Sequence, residues 1–175
     1  MIRSTFVVLA ACVFLTGCGD DDASPTSPSN QPLVFSAILS PANEVPPVGN
    51  AESGGRGAAQ IVFNVDRNAS GAITAATGTF YFQLTGFPEG TTVVGAHIHP
   101  APAGVNGPVA ISTGLTAANT VAIGQTGNAE FTFGNISADP ALVQQIATNP
   151  AGFYFNVHSP LNPGGFARGQ LTRVQ

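Results

Sequence analysis

Glycine and proline set the grain of this sequence. From Leu33 to the C-terminus, apolar and aromatic residues come only in short runs, with Gly, Pro, Asn or Asp between them. The chain holds 21 Gly and 14 Pro, one residue in five. Pro removes a backbone donor and Gly weakens a helix by about 1 kcal/mol relative to Ala, so long helices are disfavoured. Strands closed by tight turns suit such punctuation. Leu33–Leu39 is rich in β-formers and stops at Pro41. Ala59–Val65 runs into the turn cluster Asp66-Arg67-Asn68-Ala69-Ser70-Gly71, a hairpin signal leading to Ala72–Leu84, one long strand kinked at Gly78. Further strands are expected at Thr92–Ile98, Val109–Leu115, Thr120–Ile123, Ala129–Phe133, Phe153–His158 and Gln170–Val174. One helix is expected. Asp139 suits its N-cap, Pro140 its first position, Leu142, Val143 and Ile146 share a side, and Asn149-Pro150 stops it. The expectation is an all-β fold, an antiparallel Greek-key sandwich or barrel with one short helix. Twelve Phe, nearly all after residue 32, are available to fill its core.

Charge excludes some functions. Only 8 % of residues are charged, against roughly 25 % in typical domains, so charge-driven disorder is excluded. There is no Lys, and the five Arg (Arg3, Arg56, Arg67, Arg168, Arg173) form no cluster along the chain. Nucleic-acid binding lacks the basic patch it needs. The two Cys precede residue 20, so the rest of the chain has no disulfide.

The leading segment reads as an address. Arg3 precedes the apolar run Phe6–Leu15, which is too short to span a bilayer of ~30 Å and has the length of a secretion signal. It ends in Leu15-Thr16-Gly17-Cys18, which resembles a bacterial lipobox. That resemblance implies a lipoprotein signal peptide over 1–17 and acylation of Cys18, with palmitate-type chains holding the protein on a membrane. Ordinary secretion with cleavage nearby is the alternative. Residues 18–32, acidic and then Ser- and Pro-rich, read as a linker to a domain at 33–175. The expected location is the cell envelope, facing periplasm or exterior.

All three histidines fall at the ends of two expected strands. His97 and His99 are two apart, so they share a face with Cβ atoms ~6.6 Å apart at a rise of ~3.3 Å per residue. In Phe153–His158, Tyr154, Asn156 and His158 share one face and Phe153, Phe155 and Val157 the other. Two readings stand. The rings hold one metal ion, copper or zinc, for which neutral imidazole is a suitable ligand; or they are hydrogen-bonded structural histidines. Glu44, in Asn43-Glu44-Val45-Pro46-Pro47, is a candidate supporting carboxylate, though a solvated loop residue is its plainer reading. Arg168, flanked by Gly164, Gly165 and Gly169, is expected to pair with a carboxylate such as Glu44 or to guide an anion to a metal. Tyr154 and Asn156 are candidates for supporting roles beside the rings.

Taken together these pieces resemble the CHRD domain, the module named for chordin. They are Phe35-x-Ala37-x-Leu39, Asn43-Glu44-Val45-Pro46-Pro47-Val48, Gly57-x-Ala59, Ala96-His97-Ile98-His99, Gly107-Pro108-Val109, Tyr154-Phe155-Asn156-Val157-His158-Ser159, Asn162-Pro163-Gly164-Gly165 and Arg168-Gly169-Gln170-Leu171. The departure is Phe166-Ala167, where the family usually has Glu-Ile. The resemblance implies an all-β extracytoplasmic module. The anchor, the linker and the sparse catalytic inventory point to a non-enzymatic binding domain for a protein or glycan ligand, which fold alone does not name. Gly95-Ala96-His97-Ile98-His99, Val157-His158 and Arg168 are more weakly similar to the copper–zinc superoxide dismutases. This sequence lacks their bridging His, zinc ligand set and disulfide. What this similarity implies is an immunoglobulin-like or superoxide-dismutase-like sandwich and, as the alternative function, a mononuclear copper or zinc metalloprotein. If catalytic, it would be a copper-dependent oxidoreductase. No catalytic residue is assigned: there is no nucleophile elbow and no phosphate loop.

Overall fold

The computed structural model describes residues 29–175. The expected signal peptide, Cys18 and most of the expected linker lie outside the described residues. Eleven strands occur among those described. They are β1 (Leu33–Leu39), β2 (Arg56–Arg67), β3 (Ile73–Thr85), β4 (Thr92–Val93), β5 (Gly95–Pro100), β6 (Ile111–Ser112), β7 (Val121–Ala122), β8 (Ala129–Ser137), β9 (Phe153–His158), β10 (Ala167–Gln170) and β11 (Thr172–Arg173). One helix, α1, spans Pro140–Thr148. Every pairing is antiparallel. One sheet has the order β11-β1-β2-β3-β8, the other β10-β9-β5-β6, and β4 and β7 form a separate ribbon. The sheets are open, so of the two expected forms the sandwich is the one adopted.

Aromatic side chains join the sheets. Phe155 of β9 stacks on Phe80 of β3 at 6.0 Å and tilts against Phe82 at 5.3 Å. Phe35, Phe63 and Phe80 continue the row edge to face. Offset and T-shaped pairs of this kind add about 0.5–1.5 kcal/mol each beyond area burial. At the kink position Gly78 the packing is tight, because a Cβ there would sit 3.0 Å from the Phe80 ring and 3.1 Å from the Phe63 ring. The ladder to β8 shifts register at the same place. Helix α1 starts as its sequence predicts. The Asp139 carboxylate accepts from the Ala141 and Leu142 amides, and Val143 and Ile146 are buried.

Several expected strands differ in extent. Thr92–Ile98 divides at Val94, since β4 pairs with β7 while β5 pairs with β9 and β6. Only Ile111–Ser112 of Val109–Leu115 forms ladder. Thr113 Oγ1 donates to Ala96 O, and Gly114 turns away with φ +82°. Ala129–Phe133 extends to Ser137 past Asn135, whose φ of 57° makes a local bend. Gln170–Val174 divides at buried Leu171, where the chain leaves the second sheet for the edge of the first.

The sheets close on each other where β10 meets the end of β1. Ser40 and Arg168 exchange backbone hydrogen bonds of 3.1 and 3.3 Å. Gly169 permits this approach, because a Cβ there would collide with the Ile38 carbonyl. Gly169→Ala is expected to cost about 1–3 kcal/mol, since backbone cannot yield as a side chain can. Ile38→Ser, at a side chain 72 % exposed, should stay within about 0.5 kcal/mol. Urea denaturation of both variants checks the contrast.

Candidate metal centre

β5 and β9 run side by side with Gly95 opposite His158, His97 opposite Asn156 and His99 opposite Tyr154. Alternation sends Ala96, Ile98, Phe155 and Val157 into the sandwich, all fully buried. The same alternation puts the three histidines, Asn156 and Tyr154 together on the other face. His97 and His158 meet diagonally, their ring centroids 4.8 Å apart; His97 and His99 lie at 5.7 Å, His99 and His158 at 6.0 Å. One nitrogen from each of the three rings lies within 4.8 Å of the other two. Bonds of ~2.0–2.1 Å to one ion require nitrogens within roughly 4 Å of one another. The spread observed exceeds that by less than 1 Å.

Hydrogen bonds orient two of the rings. His99 Nδ1–H donates to Gly107 O at 2.9 Å, which leaves Nε2 as the lone-pair nitrogen. His158 has its Nδ1 3.0 Å from Pro163 O and its Nε2 2.9 Å from Asn156 Oδ1. A backbone carbonyl behind a ligating imidazole is the usual support of a metal-bound histidine. His97 Nδ1 and His99 Nε2 are buried with no hydrogen-bond partner, a costly state for polar atoms away from water. Burial keeps all three rings neutral. His97 is pushed down to about 4, first by desolvation and then by the neighbouring imidazoles. Desolvation also lowers His99 and His158.

Tyr154 stacks on His99, nearly parallel at 4.8 Å, and its hydroxyl accepts from the Gly107 amide at 3.3 Å. The Arg168 guanidinium lies 4.6 Å above the other side of that ring system's centre, giving a layered imidazole, phenol and guanidinium. Arg168 is only 2 % exposed. Its Nε donates to Asn43 O at 2.6 Å, and its Nη1 donates to Asn106 Oδ1 at 2.8 Å and Val105 O at 3.3 Å. The expected pair with Glu44 exists but is loose, at 3.7 Å. Backbone carbonyls hold most of this cation, so it clips two loops to β10.

Glu44 is 4 % exposed, which overturns its reading as a solvated loop residue. The turn Pro41–Asn43, capped by Ser40, folds the chain back over the second sheet and drives Glu44 inward. Desolvation pushes its carboxyl up to about 7, against the lowering pull of Arg168 and a hydrogen bond with Asn156. Three contributors had no clear signal in the sequence. Gly95 stands where a Cβ would be 2.9 Å from the His97 ring. Glu52 is buried, accepts from Ser159 Oγ at 2.7 Å and from the Asn162 side chain, and anchors the loop that carries Pro163. The third is the Gly107 carbonyl behind His99. The partners of Glu52 lie more than a hundred residues away in sequence, whereas Gly95 and Gly107 stand close to the histidines they serve.

These shifts fix a pH dependence. Between about 4 and 6.5 the folded protein binds fewer protons at His97 than the unfolded chain, so stability falls on acidification through that window. Glu44 works oppositely: between 4.5 and about 7 the folded state holds an extra proton, so its contribution falls as pH rises. With three histidines against one carboxyl, the chelated protein is expected to lose stability below pH 6.5. Glu44→Gln should lose it more steeply, because the opposing group is gone. Urea midpoints between pH 4.5 and 7.5 check both slopes.

The sequence model of the CHRD domain family matches residues 35–171. No curated protein and no solved structure matches the chain. The matched span runs from β1 through both histidine strands to the residue after β10, taking in the loops that Arg168 clips together, and the chain therefore belongs to the CHRD domain family.

Proposed function

We propose that this CHRD domain is an extracytoplasmic binding module that holds one divalent transition-metal ion, copper or zinc, on His97, His99 and His158, and that lipid on Cys18 tethers it to a membrane. One observation carries the metal reading. Two buried ring nitrogens without partners, on His97 and His99, converge with a third ring on a common volume. Hydrogen-bonded structural histidines would have spent both nitrogens on neighbours; these have not. The donor set is neutral imidazole nitrogen held neutral by burial, which favours copper and zinc over magnesium or calcium. Oriented carbonyls behind His99 and His158 supply the outer support such an ion needs. The tether reading rests on the lipobox-like Leu15-Thr16-Gly17-Cys18 and the polar stretch after it.

Elemental mass spectrometry of protein loaded with copper or zinc and then desalted is expected to find about one ion per chain. The triple variant His97→Ala/His99→Ala/His158→Ala should retain none while keeping its β-sheet circular dichroism. Equal, low metal content in both proteins would leave these rings a structural role. Gly95→Ala, which presses on the His97 ring, should weaken binding about 10-fold, as measured by chelator competition. Mass spectrometry of membrane-fraction protein should show acylation at Cys18, lost in Cys18→Ala.

A further inference from the structure

We propose that the carboxamide oxygen of Asn156 is the fourth ligand of the ion, making the centre three imidazoles and one amide oxygen. This rests on the metal reading above and goes beyond the three rings that define it. His158 sits between two oxygens, with Pro163 O 3.0 Å from Nδ1 and Asn156 Oδ1 2.9 Å from Nε2. A neutral imidazole has one proton and can donate to only one of them. The Pro163 carbonyl takes it, being a backbone acceptor that cannot turn round. The Nε2 lone pair then faces the lone pairs of Asn156 Oδ1. Two acceptors at 2.9 Å repel when no proton lies between them, and an ion bound to both removes that repulsion. The separation also suits two ligands of one ion, because bonds of ~2.0–2.1 Å at angles between square and tetrahedral put the donors roughly 2.9–3.4 Å apart.

The amide is fixed in this orientation from behind. Asn156 is 1 % exposed. Its Nδ2 donates to Gly164 O at 3.5 Å. Turning the amide over would set its oxygen against that carbonyl. Gly165, with φ +127°, makes room for the arrangement, because a Cβ there would lie 2.6 Å from both Asn156 Nδ2 and Glu44 Oε1. The amide also stands directly opposite His97 in the β5–β9 register, so it lies beside both His97 and His158.

The test uses the full chain with zinc as the probe. In the metal-free protein, 15N–1H spectra are expected to show His158 protonated on Nδ1. A proton on Nε2 would make the Asn156 contact an ordinary hydrogen bond and overturn the proposal. In zinc-loaded crystals, Asn156 Oδ1 should lie ~2.0–2.2 Å from the ion; an oxygen beyond about 3 Å overturns it. By chelator competition, Asn156→Ala should bind zinc about 10-fold more weakly or worse. Asn156→Asp, which keeps an oxygen ligand but cannot donate to Gly164, should bind at least as tightly as wild type. If Asn156→Asp is as weak as Asn156→Ala, the residue only positions its neighbours. Wild type that loads zinc through the rings with Asn156 turned away defeats this assignment alone. Wild type that takes up no zinc or copper at all defeats the metal reading and this assignment with it.

Discussion

Antiparallel pairing of β5 with β9 divides the side chains of both strands between two environments. Phe155, Val157, Ala96 and Ile98 enter the sandwich, where Phe155 reaches Phe80 and Phe82 of the opposite sheet. His97, His99, Asn156 and His158 are thereby committed to the other face. A slip of one residue in this ladder would bury imidazoles among phenylalanines and expel the aromatic core. The apolar packing thus sets the register, and the register delivers three rings to one place. The geometry of the histidine cluster is therefore held by core energetics.

The outer face of that sheet is itself covered. Loops at residues 41–49, 101–110 and 159–166 fold over it, and each presents a backbone carbonyl or amide to a buried polar side chain. Asn43 O and Val105 O accept from Arg168, Gly107 O from His99, and Pro163 O lies beside His158. A buried guanidinium is expensive to desolvate, and its hydrogen bonds do more to specify one loop arrangement than to add stability. The chain uses it to lock the loops around the rings, with Tyr154 sandwiched between Arg168 and His99. Glu52 does the same for the third loop through Ser159 and Asn162.

Much of the architecture was legible from residue order. Pro41, the Asn68–Gly71 turn, the Asp139 cap and the Phe153–His158 alternation each mark a local preference that the tertiary structure keeps. Strand ends were less legible where pairing partners, not propensity, decide them. Val94 and Leu171 look like strand interior, yet each is a point where the chain changes sheets. Glu44 read as a loop carboxylate because nothing nearby explains its burial; its neighbours, Arg168 and Asn156, are more than a hundred residues away in sequence.

Sequence alone determined that the fold would be β-rich and that His97 shares a face with His99, and His158 with Asn156 and Tyr154. Those are consequences of a two-residue period within one strand, which no distant contact can change. Only tertiary structure decided that the two faces are the same face of adjoining strands, that His158 stands diagonally beside His97, and that two ring nitrogens are buried without partners. Such facts depend on which strands pair and in what register. Burial of phenylalanines from five different strands fixes both, and no single stretch of chain encodes that sum.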